Sequence, residues 1–226
     1  MHVVFRETHG LDEVETPFDL GQDPGEILVL SFSDSDLGAF SAGWHRAKTA
    51  GSPLPVTRLA NLVALKHPVS VDTWAERTLP GVRAVLVRLI GGEAYWPYGL
   101  ATLQDRARRM GFALAVLPAD GRPDERLDQL SSLPVSTLRR LSHLCDQGGA
   151  VAAQAALAQL ALAAGLYAGP VLGDKSVPAS GFYDPERGVL ATLHAPAGPE
   201  VLVTFYRSYL TAGDTQPIDA LIHSLR

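Results

Sequence analysis

Val82-Arg-Ala-Val-Leu-Val-Arg-Leu-Ile-Gly-Gly-Glu-Ala-Tyr-Trp-Pro-Tyr-Gly-Leu100 is the stretch whose reading decides the fold. Its first part is an apolar segment (Val82, Ala84, Val85, Leu86, Val87) with the character of a buried strand. Residues 100–110 read as a helix, so the glycine pair and three aromatics fall on a strand-to-helix turn. In an open α/β sheet, ligands bind at this carboxyl end of the strands. Gly91 and Gly92 accept backbone angles that other residues avoid and let a ligand or another chain come close. Tyr95, Trp96 and Tyr98 offer flat apolar faces with polar edges, suited to a large planar partner. A turn whose aromatics only cap the sheet is the competing reading.

Working outward, residues 27–32 (Ile-Leu-Val-Leu-Ser-Phe) form an unbroken apolar run, the pattern of a strand covered on both faces. Asp34 or Ser35 is placed to cap a helix that runs through Trp44 and Arg46 to the region of Gly51. Residues 58–65 read as a second strand. Ser70 caps a short helix through Thr78, which Pro80-Gly81 stops. A strand over 82–90, a helix from Pro97 and a strand over 112–117 closing at Pro118 follow. Residues 2–5 read as a short strand, and the acidic, proline-punctuated 12–25 as a loop. Strands alternating with helices indicate βαβ units. Residues 1–121 therefore predict an α/β domain with a Rossmann-like or flavodoxin-like, mostly parallel sheet.

Beyond this the pattern changes. Residues 123–130, 136–145 and 150–167 read as helices, giving a helical segment over 122–168. Residues 169–199 form a connector rich in Gly, Pro and Ser. A strand over 201–205 and a helix from Thr215 predict the start of a further α/β unit over 200–226, because a parallel unit needs a second strand after its crossover.

The bulk properties exclude several functions. A chain of 226 residues holds one large domain or one and a half, at roughly 150 residues per domain. A net charge of −5 with scattered arginines argues against a nucleic-acid partner. Arg106, Arg108 and Arg109 read as the wet side of one helix. Cys145, the single cysteine, rules out an intrachain disulfide and fits a reducing compartment. The apolar stretch near the amino terminus is too short for a signal peptide. Residues 147–173 lack charge, but they are alanine-rich and lack clear aromatic and basic anchors. They read as a buried helix, and the expectation is a cytoplasmic protein without membrane contact.

Phosphate loops of the Gly-x-x-x-x-Gly-Lys-Ser/Thr type and Gly-x-Gly-x-x-Gly fingerprints are absent from the sequence. Residues 39–43 (Ala-Phe-Ser-Ala-Gly) lack the first glycine of a nucleophile elbow and fall inside a predicted helix. His2, His9, His45, His67, His143, His194 and His223 never stand three or four apart, so no two are spaced as ligands on one helix face; a metal site assembled from distant histidines stays open. The cluster Ser31-Phe-Ser33-Asp34-Ser35-Asp36 is more informative. It closes the first central strand, where its hydroxyls and carboxylates would face the crevice beside a helix amino terminus. One reading is a polar ligand site; the other is helix capping, with Asp36 placed favourably against the dipole.

Several stretches together carry a family resemblance. They are 30–37 (Leu-Ser-Phe-Ser-Asp-Ser-Asp-Leu), 59–62 (Leu-Ala-Asn-Leu), 70–73 (Ser-Val-Asp-Thr), 87–92 (Val-Arg-Leu-Ile-Gly-Gly), 95–99 (Tyr-Trp-Pro-Tyr-Gly) and 117–121 (Leu-Pro-Ala-Asp-Gly). The alanine-rich helix, 205–210 (Phe-Tyr-Arg-Ser-Tyr-Leu) and 218–221 (Ile-Asp-Ala-Leu) extend the match to essentially the whole chain. In this order they resemble the amino-terminal part of the large, CobN-type subunit of aerobic cobaltochelatases, relatives of the magnesium chelatase large subunit. The resemblance implies ligase-type insertion of Co²⁺ into a corrin-ring precursor, hydrogenobyrinic acid a,c-diamide. It also implies ATP/Mg²⁺ hydrolysis by two AAA+ motor-type partner subunits, with the rest of the large subunit as a further partner. Members of that family are several times longer, their metal-handling residues are expected outside this segment, and none is carried over. The segment alone is expected to be inactive and to hold no cofactor. Ser33, Asp34, Asp36, Arg88, Gly91, Gly92, Tyr95 and Trp96 lie in the matching motifs and are the candidate substrate contacts. A structural head domain serving assembly, and a free-standing α/β protein binding an unrelated small molecule, are the alternatives.

Overall fold

The computed structural model describes residues 16–52, 54–192 and 201–226. The predicted strand over 2–5, and His2, His9 and His194, lie outside them. Four parallel strands form the centre: β1 (Ile27–Ser31), β2 (Thr57–Asn61), β3 (Ala84–Leu89) and β4 (Ala113–Pro118). Their order is β2-β1-β3-β4. Every residue of β1 and β3 is buried, which is why both read as continuous apolar runs instead of alternating ones.

Alternate residues of these strands serve two cores. Leu28, Leu30, Val85, Val87, Leu89, Leu114 and Val116 face one side, where α2 (Pro68–Thr78), α3 (Pro97–Met110) and α4 (Glu125–Leu130) bring Trp74, Leu100, Leu103 and Leu127. Ile27, Val29, Leu86, Ala115 and Leu117 face the other. That side is covered by α1 (Asp34–Thr49), α5 (Val135–Gln147) and α6 (Gly149–Ala163). The α/β fold predicted from the alternation is thus present, with helices on both faces of a parallel sheet.

Helix α6 is the alanine-rich segment. Its small side chains let it lie against α1, where a Cβ on Gly43 would stand 2.6 Å from the Gln154 backbone nitrogen. Among the described residues no helix is long and apolar enough to cross a membrane. Beyond α6, a two-stranded antiparallel hairpin, β5 (Phe182–Asp184) with β6 (Gly188–Leu190), precedes α7 (Arg207–Ala212) and α8 (Gln216–Leu225).

Several expected boundaries shift. Ser33, not Asp34 or Ser35, caps α1: its extended backbone lets its side chain accept the Asp36 N–H. The second strand stops at Asn61 and a 3-10 turn takes over through Leu65. His67 caps α2 ahead of Pro68, while the buried Ser70 accepts the Phe18 N–H instead. Residues 201–206 run without regular structure, so the strand expected at 201–205 is not formed. The hairpin within 169–199 was not anticipated from the sequence.

Candidate functional site at the strand-order switch

The chain turns from β1 toward β2 on one side and from β3 toward β4 on the other. The order therefore reverses between β1 and β3, and a crevice opens outside their carboxyl ends. The last residue of β1, Ser31, lies in register with Arg88 of β3. Arg88 is only 4% exposed, so its charge must be paired. Its Nη1 donates to Asp36 Oδ1 at 3.0 Å and its Nη2 to Asp146 Oδ1 at 2.8 Å. Ser31 Oγ donates to Asp36 Oδ2 at 2.9 Å, and the Ser33 N–H donates to Ser31 Oγ at 3.0 Å. Each partner comes from a different element: the start of α1, the end of β1 and the last turn of α5.

Asp36, Arg88 and Asp146 line a cleft of about 360 Å³, together with Ser35, Ala119 and Cys145 and with Arg207 and Thr211 of α7. Burial pushes the Asp146 carboxyl above the usual carboxylate range, against the opposing pull of Arg88. Burial likewise pushes the Cys145 thiol up to about 12. A thiol held neutral is a poor nucleophile. The cleft brings two carboxylates, one buried guanidinium and the first turn of α1 together beside the apolar side chains of Phe40 and Leu144.

Of the expected contact residues, Asp36 and Arg88 line this cleft, and Ser33 is joined to them through Ser31 Oγ and the Asp36 N–H. Asp34 sits beside them and accepts from Asn61 Nδ2 at 2.7 Å, tying the end of β2 to α1. The glycine-aromatic turn goes elsewhere. Gly91 and Gly92 take φ of +86° and +79° and border a second hollow of about 460 Å³ with Asp124 and Arg126. Arg126 Nε donates to Glu93 Oε2 at 2.6 Å, and that bond holds the Glu93 carboxyl below its ordinary range. The Tyr95 ring lies against Gly91 and is 62% exposed. Tyr98 Oη donates to the Asp72 carboxylate at 2.9 Å, and this bond raises the phenol above its ordinary range.

Trp96 corrects the sequence expectation. It is 3% exposed, belongs to the core under α3, and its Nε1–H donates to the Leu65 carbonyl at 2.7 Å. It has no open face for a planar ligand. The three aromatics point to different surroundings and make no common platform.

Sequence reasoning missed Asp146. A signal existed: it is an acid in the last turn of α5, where the helix dipole favours a cation and none is present. A carboxylate kept at that end calls for a positive partner from elsewhere in the fold, and Arg88 is that partner. Among the described residues, no group of three or more His, Cys, Asp or Glu gathers to hold a metal ion.

No protein-family model matches the chain. The aerobic cobaltochelatase subunit CobN of a Sinorhizobium species is 33% identical over 243 aligned residues, covering 100% of this chain and 18% of that protein. CobN of Pseudomonas aeruginosa is 34% identical over 149 residues, covering 66% of this chain and 12% of its own length. Among solved structures, the catalytic subunit of cobaltochelatase from Mycobacterium tuberculosis superposes with a TM-score of 0.61 at 22% identity. That superposition covers 88% of this chain and 15% of the larger one, and it supports the α/β fold. The chain thus spans under a fifth of the length of the curated relatives it matches, and along all of its own length it belongs to the CobN cobaltochelatase family.

Proposed function

We propose that this chain serves as the amino-terminal segment of the large subunit of an ATP-dependent cobaltochelatase. The enzyme inserts Co²⁺ into hydrogenobyrinic acid a,c-diamide in the cytoplasm, and this segment supplies one wall of the macrocycle site. Co²⁺ is a substrate here, ATP is hydrolysed by AAA+ partner subunits, and the segment itself is inactive. The observation that carries the reading is the polar cleft outside the carboxyl ends of β1 and β3, where strand order reverses. At about 360 Å³ it lies near the lower end of small-ligand pockets. It suits one polar arm at the rim of a corrin, with the ring itself held against other parts of the enzyme.

Equilibrium dialysis of the chain against hydrogenobyrinic acid a,c-diamide tests this. Saturable binding that weakens at least tenfold in Ala119→Trp, which fills the cleft from its edge, is the expected result. Absence of binding by folded protein contradicts it.

A second reading, a docking surface for the rest of the large subunit, is favoured by the carboxyl-terminal third. There Leu172, Val201, Leu202 and Tyr206 are between 69% and 80% exposed, a concentration of apolar surface that suits a protein neighbour.

A further inference from the structure

We infer that residues 173–192 and 201–226 form a cap that swings as a unit and gates the cleft between the ends of β1 and β3, with α7 as the part that closes it. The hinged cap stands on packing alone; its role in admitting a ligand rests on the reading of that cleft as a binding wall.

The sheet layer does not depend on the cap. Both sheet cores are complete without it, and the last side chain packed against either is Val171. Ile218 is the buried apolar residue of the cap, and it belongs to neither core. Helix α7 buries no residue. The bond from Arg46 Nη2 to the Leu172 carbonyl, at 2.8 Å, stands at the junction. Among the described residues, no hydrogen bond or ion pair ties anything beyond Leu172 to the sheet layer. Few buried apolar contacts and few hydrogen bonds are the marks of a part that opens at low free energy.

Inside the cap the elements are bound to one another. Tyr183 Oη of β5 donates to Asp219 Oδ1 of α8 at 2.8 Å, and Arg226 Nη2 donates to Asp184 Oδ2 at 2.5 Å. The Phe205 ring meets Tyr183 and Tyr209 edge to face, with centroids 5.7 and 6.4 Å away. Arg207 Nη2 of α7 donates to the Val177 carbonyl at 2.8 Å. Hairpin, α7 and α8 therefore move together.

A close fit of backbone holds the cap shut. Helix α7 lies against α1 and α6. A Cβ on Gly38 of α1 would stand 2.8 Å from the Ala212 carbonyl oxygen, and one on Gly148, between α5 and α6, 2.7 Å from Thr211 Cβ. Thr211 and Arg207 also line the cleft, so lifting α7 off this seat opens the cleft from that side. The chain enters the cap through Gly173 at φ +105°, where the freedom of glycine suits a hinge.

Gly38→Ala tests the device. Within α1 the change favours the helix, and the atoms its Cβ meets belong to Ala212 of the cap. Residual dipolar couplings, the urea midpoint and the rate at which fluorescein maleimide modifies Cys145 are measured on the whole chain, parent and variant. Cys145 is the single cysteine and lines the cleft. In the variant, the couplings of β5, β6 and α8 should fit one alignment among themselves and no longer that of β1 and β3. Cys145 should react about tenfold faster, the equivalent of overpacking at one contact, while the urea midpoint does not fall. Couplings that stay on the sheet's alignment, or a Cys145 rate that merely follows a lowered midpoint, overturn the inference. Couplings that separate while Cys145 reacts no faster overturn the gate. Absence of saturable binding of hydrogenobyrinic acid a,c-diamide to parent and variant alike removes the macrocycle wall, while the cap stands or falls on the couplings and the Cys145 rate.

Discussion

At the scale of single residues, Arg88 and Trp96 show why neighbouring motif residues take different roles. Arg88 stands one residue before the end of an otherwise apolar strand, and a cation in that position must find carboxylates inside the fold. Asp36 stood out in the sequence as an acid at a helix start just after β1, but its pairing with Arg88 did not. Asp146 did not stand out, since 58 residues separate it from Arg88 and only the fold joins them. Trp96 looked like a ligand face because it shares a turn with Tyr95 and Tyr98. The direction of a side chain on such a turn is decided by what the following helix packs against, and Trp96 turns into the core to reach Leu65. Replacing it with Phe leaves the Leu65 carbonyl unsatisfied. Trp96→Phe is therefore expected to cost about 1–3 kcal/mol in urea denaturation while corrin affinity stays within twofold. A large affinity loss at unchanged stability would return Trp96 to the list of contacts.

At the scale of elements, strand and helix alternation through Pro118 was readable because strands buried on both faces leave unbroken apolar runs between capped helices. The carboxyl-terminal third was less so. Residues 201–205 (Val-Leu-Val-Thr-Phe) have strand-forming composition, but strand formation depends on a partner edge, and among the described residues no strand pairs with them. The β5–β6 hairpin escaped notice because each strand has only three residues, too few for alternation to show. The α1–α6 contact gives a sharp expectation. On helix propensity alone Gly43→Ala would stabilise by about 1 kcal/mol. In the fold, its Cβ would meet backbone atoms of Gln154 and Ala150 at 2.6 and 2.9 Å, which cannot move away independently. Overpacking of this kind costs about 1–3 kcal/mol, so the variant should unfold at lower urea than the parent. A higher midpoint would mean that the two helices are not in close contact.

At the scale of the whole molecule, the strand order β2-β1-β3-β4 places the polar cleft, and no single motif does so. It brings the ends of β1 and β3 side by side, aims the start of α1 at the gap, and lets the end of α5 supply the second carboxylate. The glycine-aromatic turn, the most conspicuous stretch of the sequence, lies over the other hollow beside α4. The two locations can be told apart by mapping hydrogenobyrinic acid a,c-diamide on the ¹⁵N-labelled chain. Shifts concentrated at Ser35, Asp36, Gly121 and Thr211 are the predicted result; shifts concentrated at Gly91, Gly92 and Tyr95, or none at saturating corrin, would contradict the assignment of the macrocycle wall to the β1–β3 cleft.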